Sequence, residues 1–225
     1  MVCMKNKLQN PATDNQGVGI TKEQNRWEDV YSFGRERLPW LENPLPTEIL
    51  QDFINHLQSD HKILDYGCGD GLLTDFLIQG GFKNILCSDI SRKALDMVLQ
   101  RHSAVKVVRA NEPSEIIEKP FDGILVWGVM HHVDYDQWEK FVYDFSNLVK
   151  PGGFILFGGH SRKDVEFSQG YRVSPTTGEV STAVDYLEEI LPKNNLHILK
   201  SGYFDFIESF SSCPRAFKYF LSQRI

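Results

Sequence analysis

Three glycines at alternate positions, flanked by two carboxylates, are the residues of this chain best suited to hold a ligand. In Asp65-Tyr66-Gly67-Cys68-Gly69-Asp70-Gly71 an apolar run enters from Ile63, and a helical pattern, Leu72 to Ile78, follows at once. Glycine admits positive φ and lets a ligand approach the backbone, and a helix amino terminus presents free N–H groups. A phosphate loop would require a lysine that is absent here, and a dinucleotide fingerprint would require glycine where Leu72 stands. Asp65 and Asp70 would repel a pyrophosphate; they suit a ligand that carries an ammonium and a sulfonium. A bare strand-to-helix turn rarely needs three glycines.

Further along, Cys87-Ser88-Asp89-Ile90-Ser91 ends an apolar run on a carboxylate that can accept both hydroxyl protons of a ribose. Asp89 can alternatively cap the next helix, although Ser91 is better placed for that. Trp127-Gly128-Val129-Met130-His131-His132 leaves another apolar run and brings a histidine pair, whose imidazoles titrate near neutrality and suit general-base work. Two adjacent histidines with no identified carboxylate partner make a poor metal site, and no metal is expected. Three aromatics near the start, Trp27, Tyr31 and Trp40, either close a pocket or pack a helix onto the body of the fold. The polar connection from His160 to Ser181 offers Tyr171 and Arg172 as substrate contacts, with Arg172 suited to an anion. Glu208 and Arg215 are weaker candidates.

The elements that must position these residues alternate. Apolar runs at 62–66, 84–88, 105–109, 121–127 and 154–157 read as strands with helical patterns between them. The clearest helix runs from Tyr135 to Val149, with Trp138, Phe141, Val142, Phe145 and Leu148 on one side. Such alternation implies βαβ units and a mostly parallel sheet, with ligands at the carboxyl ends of its strands. Before the first strand, residues 1–20 read as a mobile leader, 21–34 as a helix capped by Thr21, 39–46 as a proline-punctuated connection and 47–58 as an amphipathic helix. This divides the chain into the leader, a helical lid over 21–58 and a ligand-binding domain over 59–225. At the far end 184–191 reads as a helix, and 196–203 and 216–221 as strands paired without a crossover helix, which suits an antiparallel edge.

Bulk properties narrow the classes. The 225 residues have ordinary globular proportions, 41% hydrophobic and 24% charged, in keeping with one α/β domain. No apolar run approaches the roughly 20 residues of a membrane helix, and the polar start offers no secretory core. A net charge of −6 argues against nucleic acid as a partner. Cys3, Cys68, Cys87 and Cys213 contain no C-x-x-C pair and read as reduced thiols of a cytoplasmic protein, monomeric or homodimeric.

Four segments taken in order, D-Y-G-C-G-D-G, S-D-I-S, F-D-G-I-L-V-W-G-V-M-H-H-V and L-V-K-P-G-G-F-I-L-F, resemble the motifs of class I S-adenosylmethionine-dependent methyltransferases over about residues 60–160. The resemblance implies a Rossmann-like three-layer α/β sandwich whose seven-stranded, mostly parallel sheet ends in an antiparallel terminal strand. It implies S-adenosylmethionine as cofactor and S-adenosylhomocysteine as product. Gly67 and Gly69 would then lie against the methionine moiety with Asp65 near its amino group, Asp89 on the ribose, and Tyr66, Cys68 and Ile90 alongside. Asn111 stands where the family often has an acid facing the adenine amino group, and its carbonyl can accept the same bond. Trp127 and Gly128 would sit near the transferable methyl, with Met130, His131 and His132 lining the substrate pocket. The leader, Trp27-x-x-x-Tyr31 then Pro39-Trp40, resembles the thiopurine, thiol, halide and tellurite methyltransferases, where such a segment covers the cofactor. A small-molecule acceptor follows; the alternatives are a larger acceptor such as a protein, or a regulatory module without turnover that offers Phe204, Phe206 and Phe210 to a partner.

Overall fold

The computed structural model of the chain describes residues 22–38, 40–174, 179–209 and 211–225. The expected leader, the Thr21 cap, Pro39, Cys3 and Phe210 lie outside the described residues. Among those described, β1 (Lys62–Tyr66), β2 (Asn84–Asp89), β3 (Lys106–Arg109), β4 (Phe121–Trp127), β5 (Val149–His160), β8 (Leu196–Ile207) and β9 (Pro214–Arg224) form one sheet in the order β3-β2-β1-β4-β5-β9-β8. The first five strands run parallel, and β9 pairs antiparallel with both β5 and β8. The terminal strand is thus the antiparallel one, seated one place in from the edge. Strand order reverses between β1 and β4, so their carboxyl ends frame the crevice where ligands bind in open α/β sheets.

The strands read as continuous apolar runs because both faces of the sheet are covered. Along β4, Ile124 and Val126 feed one buried cluster with Phe121, Phe145 and Phe157. Leu125 between them points the other way, into a cluster with Phe53, Leu77 and Leu95. The first cluster is roofed by α5 (Trp138–Leu148), the second by α2 (Thr47–Ile54), α3 (Leu72–Gln79) and α4 (Arg92–Arg101). The stripe Trp138, Phe141, Val142, Phe145 and Leu148 is buried as its spacing requires. Each large apolar side chain withdrawn from water this way contributes about 2 kcal/mol. The helix begins three residues later than its pattern, after a 3-10 turn at Tyr135–Gln137, where the Trp138 indole N–H donates to the Val133 carbonyl at 2.9 Å. Helix α2 stops at Ile54, ahead of its expected end, and Leu57 packs onto β4 over Gly123.

Three further segments depart from expectation. The connection after β5 carries a 3-10 turn (Val165–Phe167) and a two-stranded hairpin of β6 (Tyr171–Val173) and β7 (Val180–Thr182), nucleated by β-branched residues on both arms and by the burial of Phe167. The last two strands are longer than their apolar cores, since β8 and β9 stay paired from Leu196↔Arg224 to Ile207↔Pro214. The amino-terminal helix α1 covers Lys22–Ser32 and ends short of Gly34.

Candidate active site

The glycine loop leaves β1 and is tied to β2, the N–H groups of Gly67 and Cys68 both donating to the Ser88 carbonyl at 2.7 and 2.9 Å. Gly67 and Gly69 adopt φ of +69° and +55°, which other residues reach only with strain. The space is closed as well: a Cβ on Gly67 would lie 2.3 Å from a Val129 methyl, and one on Gly69 2.6 Å from the Tyr31 hydroxyl. Below the loop, Asp65 is fully buried and accepts from the Thr74 hydroxyl at 2.6 Å. Burial pushes its carboxyl up to about 7, against the Thr74 bond and with help from Asp89 and Asp70. Asp89 accepts from the N–H groups of Gly69 (2.9 Å) and Ser91 (2.8 Å), and burial raises it to about 6. Two desolvated acids beside a bare backbone cradle favour a ligand bringing positive charge and hydroxyl donors. Ser91, not Asp89, caps α4, accepting from the Ala94 N–H at 3.2 Å.

Other cofactor candidates are placed less directly. The Tyr66 ring belongs to the core, edge-on to Phe145 with its hydroxyl donating to the Asn111 carbonyl at 3.1 Å. Tyr66 therefore offers the loop its backbone, and the buried thiol of Cys68 likewise points inward, onto the cluster of Leu77 and Leu95. Asn111 lies half-buried just beyond β3, and Ile90 beside Asp89 accepts from Arg109 at 2.9 Å. The Trp127 ring is turned onto β5 and β9, filling the space over Gly158 and meeting Phe217 at 5.7 Å. Gly128 follows with φ +75°, its N–H donating to the Gly158 carbonyl at 2.8 Å. Asp70, read as a ligand-facing carboxylate, is committed elsewhere: it is buried and paired with Arg35 at 2.8 Å, with the Trp40 indole at 3.5 Å.

That pairing belongs to a set of contacts which lay α1 across the loop. Trp27, Tyr31 and Trp40 pack on one another at centroid distances of 5.8 to 6.3 Å, together with Leu38 and Ala94. Tyr31 presses on Gly69, and Trp27 stands edge-on to His132 at 5.0 Å. The Glu28 carboxylate reaches the amino terminus of α4, accepting from the Arg92 N–H at 2.7 Å, the Ser91 hydroxyl at 3.1 Å and the Lys93 N–H at 3.3 Å. It satisfies helix donors that α4 itself cannot. On the opposite flank Lys22 and Arg26 pair with Glu179 beside β7, at 3.0 and 3.2 Å.

Between α1, the 3-10 turn at Met130–His132, the end of β5 and the hairpin lies a cavity of about 100 Å³ lined by Arg26, His131, His132, His160, Phe167 and Arg172, among others. The rings of His131 and His132 are 4.0 Å apart, and the Nδ1 of each is buried without a hydrogen-bond partner. Burial, with the Arg26 and His160 charges, holds His132 down to about 3; burial and the neighbouring His132 hold His131 well below the usual range. Two expected substrate contacts, Met130 and Tyr171, do not line this cavity. Met130 is fully buried in the core, because a three-residue turn directs it opposite to the histidines. Tyr171 and Val173, on the outer side of β6, are about half exposed, and the intervening Arg172 faces the cavity. His160, Arg26 and Glu179 were not singled out from sequence. A histidine on the carboxyl end of a central strand with an aspartate four residues on was the available signal for the first.

Residues 63–153 match the family described as a methyltransferase domain. Among curated proteins, the chain is similar to a tRNA N(3)-methylcytidine methyltransferase of Schizosaccharomyces pombe, 25% identical over 179 residues covering 72% of this chain and 57% of that protein. It is also similar to the mitochondrial ubiquinone biosynthesis O-methyltransferase of Rattus norvegicus, 26% identical over 195 residues, 78% of this chain and 56% of the relative. The chain thus spans somewhat over half the length of these relatives. The fold is shared with the 1,6-didemethyltoxoflavin-N1-methyltransferase of Burkholderia thailandensis, solved with bound 1,6-didemethyltoxoflavin and S-adenosylhomocysteine (TM-score 0.70, 17% identity, covering 94% of this chain and 93% of that one). It is shared too with the N-methyltransferase NodS of Bradyrhizobium japonicum in complex with S-adenosylhomocysteine (TM-score 0.67, 17% identity, 90% and 99% covered). A cradle that a single Cβ would fill, over buried acids that call for a cation, fits S-adenosylmethionine, and residues 63–153 carry a methyltransferase domain.

Proposed function

We propose that the chain transfers a methyl group from S-adenosylmethionine to a small organic acceptor held in the cavity between α1 and the β6–β7 hairpin. The observation that carries this reading is the cavity itself: about 100 Å³, beside the carboxyl end of β4 and shut on one side by α1. Such a volume takes one small molecule or the tip of a larger one. The net charge of −6 disfavours a nucleic acid. The relatives named above act on both kinds of acceptor; the cavity and the charge support the small one here.

When bound, S-adenosylmethionine supplies a methyl group already activated on a positively charged sulfur. The chain's own residues then have three tasks. The Gly67–Gly69 backbone, Asp65 and Asp89 would hold the cofactor's amino and ribose ends. The cluster of Trp27 and Tyr31 on α1 with Trp40 from the turn beyond it excludes water and lines up the acceptor, since alignment accounts for much of the barrier in a displacement of this kind. The unpartnered imidazole nitrogens of His131 and His132 orient the acceptor's polar groups, a role that buried, unsatisfied donors and acceptors favour.

Calorimetry with S-adenosylhomocysteine and, as control, NADH tests the first part, with binding expected for the former alone. Radiolabelled methyl transfer to phenols, amines, thiols and iodide, with bulk tRNA and a protein extract as large acceptors, tests the second. Label appearing only in the macromolecules would overturn the small-acceptor reading, and binding of NADH in place of S-adenosylhomocysteine would overturn both.

A further inference from the structure

Behind the histidine pair lies a third imidazole with a different environment. His160, at the carboxyl end of β5, directs Nδ1 at the Asp164 carboxylate 3.1 Å away, and its ring stacks on Phe167 at 4.6 Å with 8° between planes. Its centroid is 4.8 Å from that of His131, and it lines the cavity. Asp164 is buried, takes the Glu166 N–H at 3.0 Å and lies 3.6 Å from Arg215. Burial alone would raise its carboxyl, but the bonds from His160 and the Glu166 N–H, with the Arg215 charge, hold it below the usual carboxylate range. An ionised carboxylate only accepts. Nδ1 of His160 must then carry the proton, and the lone pair falls on Nε2.

From the proximity of His160 to the cavity and its pairing with Asp164, we propose that His160 accepts the proton released during methyl transfer, with Asp164 as its positioning residue, and that the acceptor is a neutral O–H or N–H group. This inference rests on the methyltransferase reading above. The acceptor's oxygen or nitrogen bonds to the methyl carbon as the carbon–sulfur bond breaks and its electron pair stays on sulfur. The acceptor's proton moves to Nε2 of His160 and leaves from there to solvent. A thiolate or a halide would have no proton to give.

Charge balance supports the assignment. Arg215 is ringed by Asp164, by Glu166 at 3.0 Å and by Glu208 at 2.9 Å, and Arg172 joins Glu166 at 2.9 Å. Three carboxylates against two guanidinium groups leave one negative charge, which an imidazolium at His160 neutralises. His131 and His132 lack such an arrangement: each has a buried Nδ1 with no partner, and burial holds both neutral. The groups facing His160 across the cavity are His131 and His132 from the turn after β4, Asp164 behind it, Arg172 and Glu179 from the β6–β7 pair and Arg26 from α1.

Nitrogen-15 NMR of the 225-residue chain with S-adenosylhomocysteine bound reads the tautomer without turnover. A protonated Nδ1 and bare Nε2 at His160 are expected, changed in Asp164→Asn; a protonated Nε2 in the unaltered protein overturns the proposal. In the radiolabel assay, transfer to phenols or amines is expected, and His160→Gln should lower kcat for them about a hundredfold or more, the usual share of a general base, at near-constant KM. The acid limb of their pH–rate profile should vanish in that variant, and Asp164→Glu should restore part of the rate lost in Asp164→Asn. Transfer confined to thiols and iodide, or an unaltered profile in His160→Gln, overturns the inference while leaving the methyltransferase reading intact. Absence of S-adenosylhomocysteine binding brings down that reading and the inference with it.

Discussion

The glycine loop, Gly67 to Gly71, and the paired strands β6 and β7 are held by different forces. The loop is fastened by its own backbone, through Gly67 and Cys68 to Ser88 and Gly69 to Asp89, over a buried floor. The hairpin is fastened by side-chain charges: Arg172 to Glu166 on one side, Lys22 and Arg26 to Glu179 on the other. Its strands leave Val173 and Val180 half exposed. Backbone bonds over a packed core open only with local unfolding, whereas exposed ion pairs are worth about 0–1 kcal/mol each and exchange readily with water. The glycine loop is thus the firmer of the two elements, and the β6–β7 pair the more easily displaced.

The largest effect that would test this contrast is at Gly67. Gly67→Ala must carry a Cβ at φ +69° and 2.3 Å from a Val129 methyl. Strain of 1–3 kcal/mol plus displacement of Val129 should weaken S-adenosylhomocysteine binding by about a hundredfold or more. Calorimetry reads it directly. Wild-type affinity in this variant would mean that the cradle yields as easily as the hairpin, and the comparison would fail.

The same contrast explains what could be read from the chain before any coordinates. The cradle is contiguous, seven residues whose spacing alone states a strand, a turn and a helix start. The core strands and α5 were legible for the same reason, since periodicity is a local property. The acceptor side is assembled from residues far apart in sequence. Nothing near Asp70 announces that Arg35 will neutralise it, and nothing near His160 announces Arg215, 55 positions on. Met130 and His131 are neighbours sent in opposite directions by one 3-10 turn, a geometry with no signature in their types. Tyr171 and Arg172 were equal candidates while the segment read as a loop; pairing into a hairpin separates their faces.

Glu28 offers the next largest effect, because it joins the two regimes. Its carboxylate takes two backbone N–H groups of α4 and so docks α1 by the kind of bond that holds the cradle. Glu28→Ala should cost about 1–2 kcal/mol, as loss of a helix cap does. A lowered melting temperature and faster proteolysis within Lys22–Ser32 are expected. Glu28→Gln, which keeps an acceptor, should lose less. Equal losses in the two variants would show that charge, rather than the hydrogen bonds, holds the lid.

The acids below the cradle add a pH signature that the hairpin should lack. Asp65 and Asp89 titrate at about 7 and about 6 when folded, above their unfolded values. An acid raised in this way holds its proton more tightly in the folded state, so the ligand-free protein loses stability as pH rises from about 4 to about 7. A cationic ligand needs the ionised form and so binds more tightly as pH rises through the same upper range. S-adenosylhomocysteine should bind about tenfold more weakly at pH 6 than at pH 8, and Asp65→Asn should flatten that dependence. Calorimetry across this range, in buffers of differing ionisation enthalpy, would also count the released proton. A flat profile in the unaltered protein would mean that both acids are already ionised in the cradle.

The smallest expected effect lies at Glu179, and it sharpens the comparison most finely. Its pairs with Lys22 and Arg26 join the hairpin to α1 across the mouth of the cavity, with the Lys22 side chain 78% exposed. Pairs so placed contribute a few tenths of a kcal/mol and are screened by salt, the Debye length falling to ~10 Å at 0.1 M. Glu179→Gln should therefore leave S-adenosylhomocysteine affinity and the melting temperature almost unchanged. On the proposed reading, in which the acceptor sits in the cavity that Arg26 and Glu179 line, the acceptor should feel the change. We expect its KM to shift about two- to threefold, a few tenths of a kcal/mol on the same scale. Raising salt should move the unaltered protein toward the variant's KM and leave the variant itself nearly still. A variant that instead loses cofactor affinity would show that hairpin and cradle form one cooperative unit, and the contrast between a firm loop and an easily displaced hairpin would have to be abandoned.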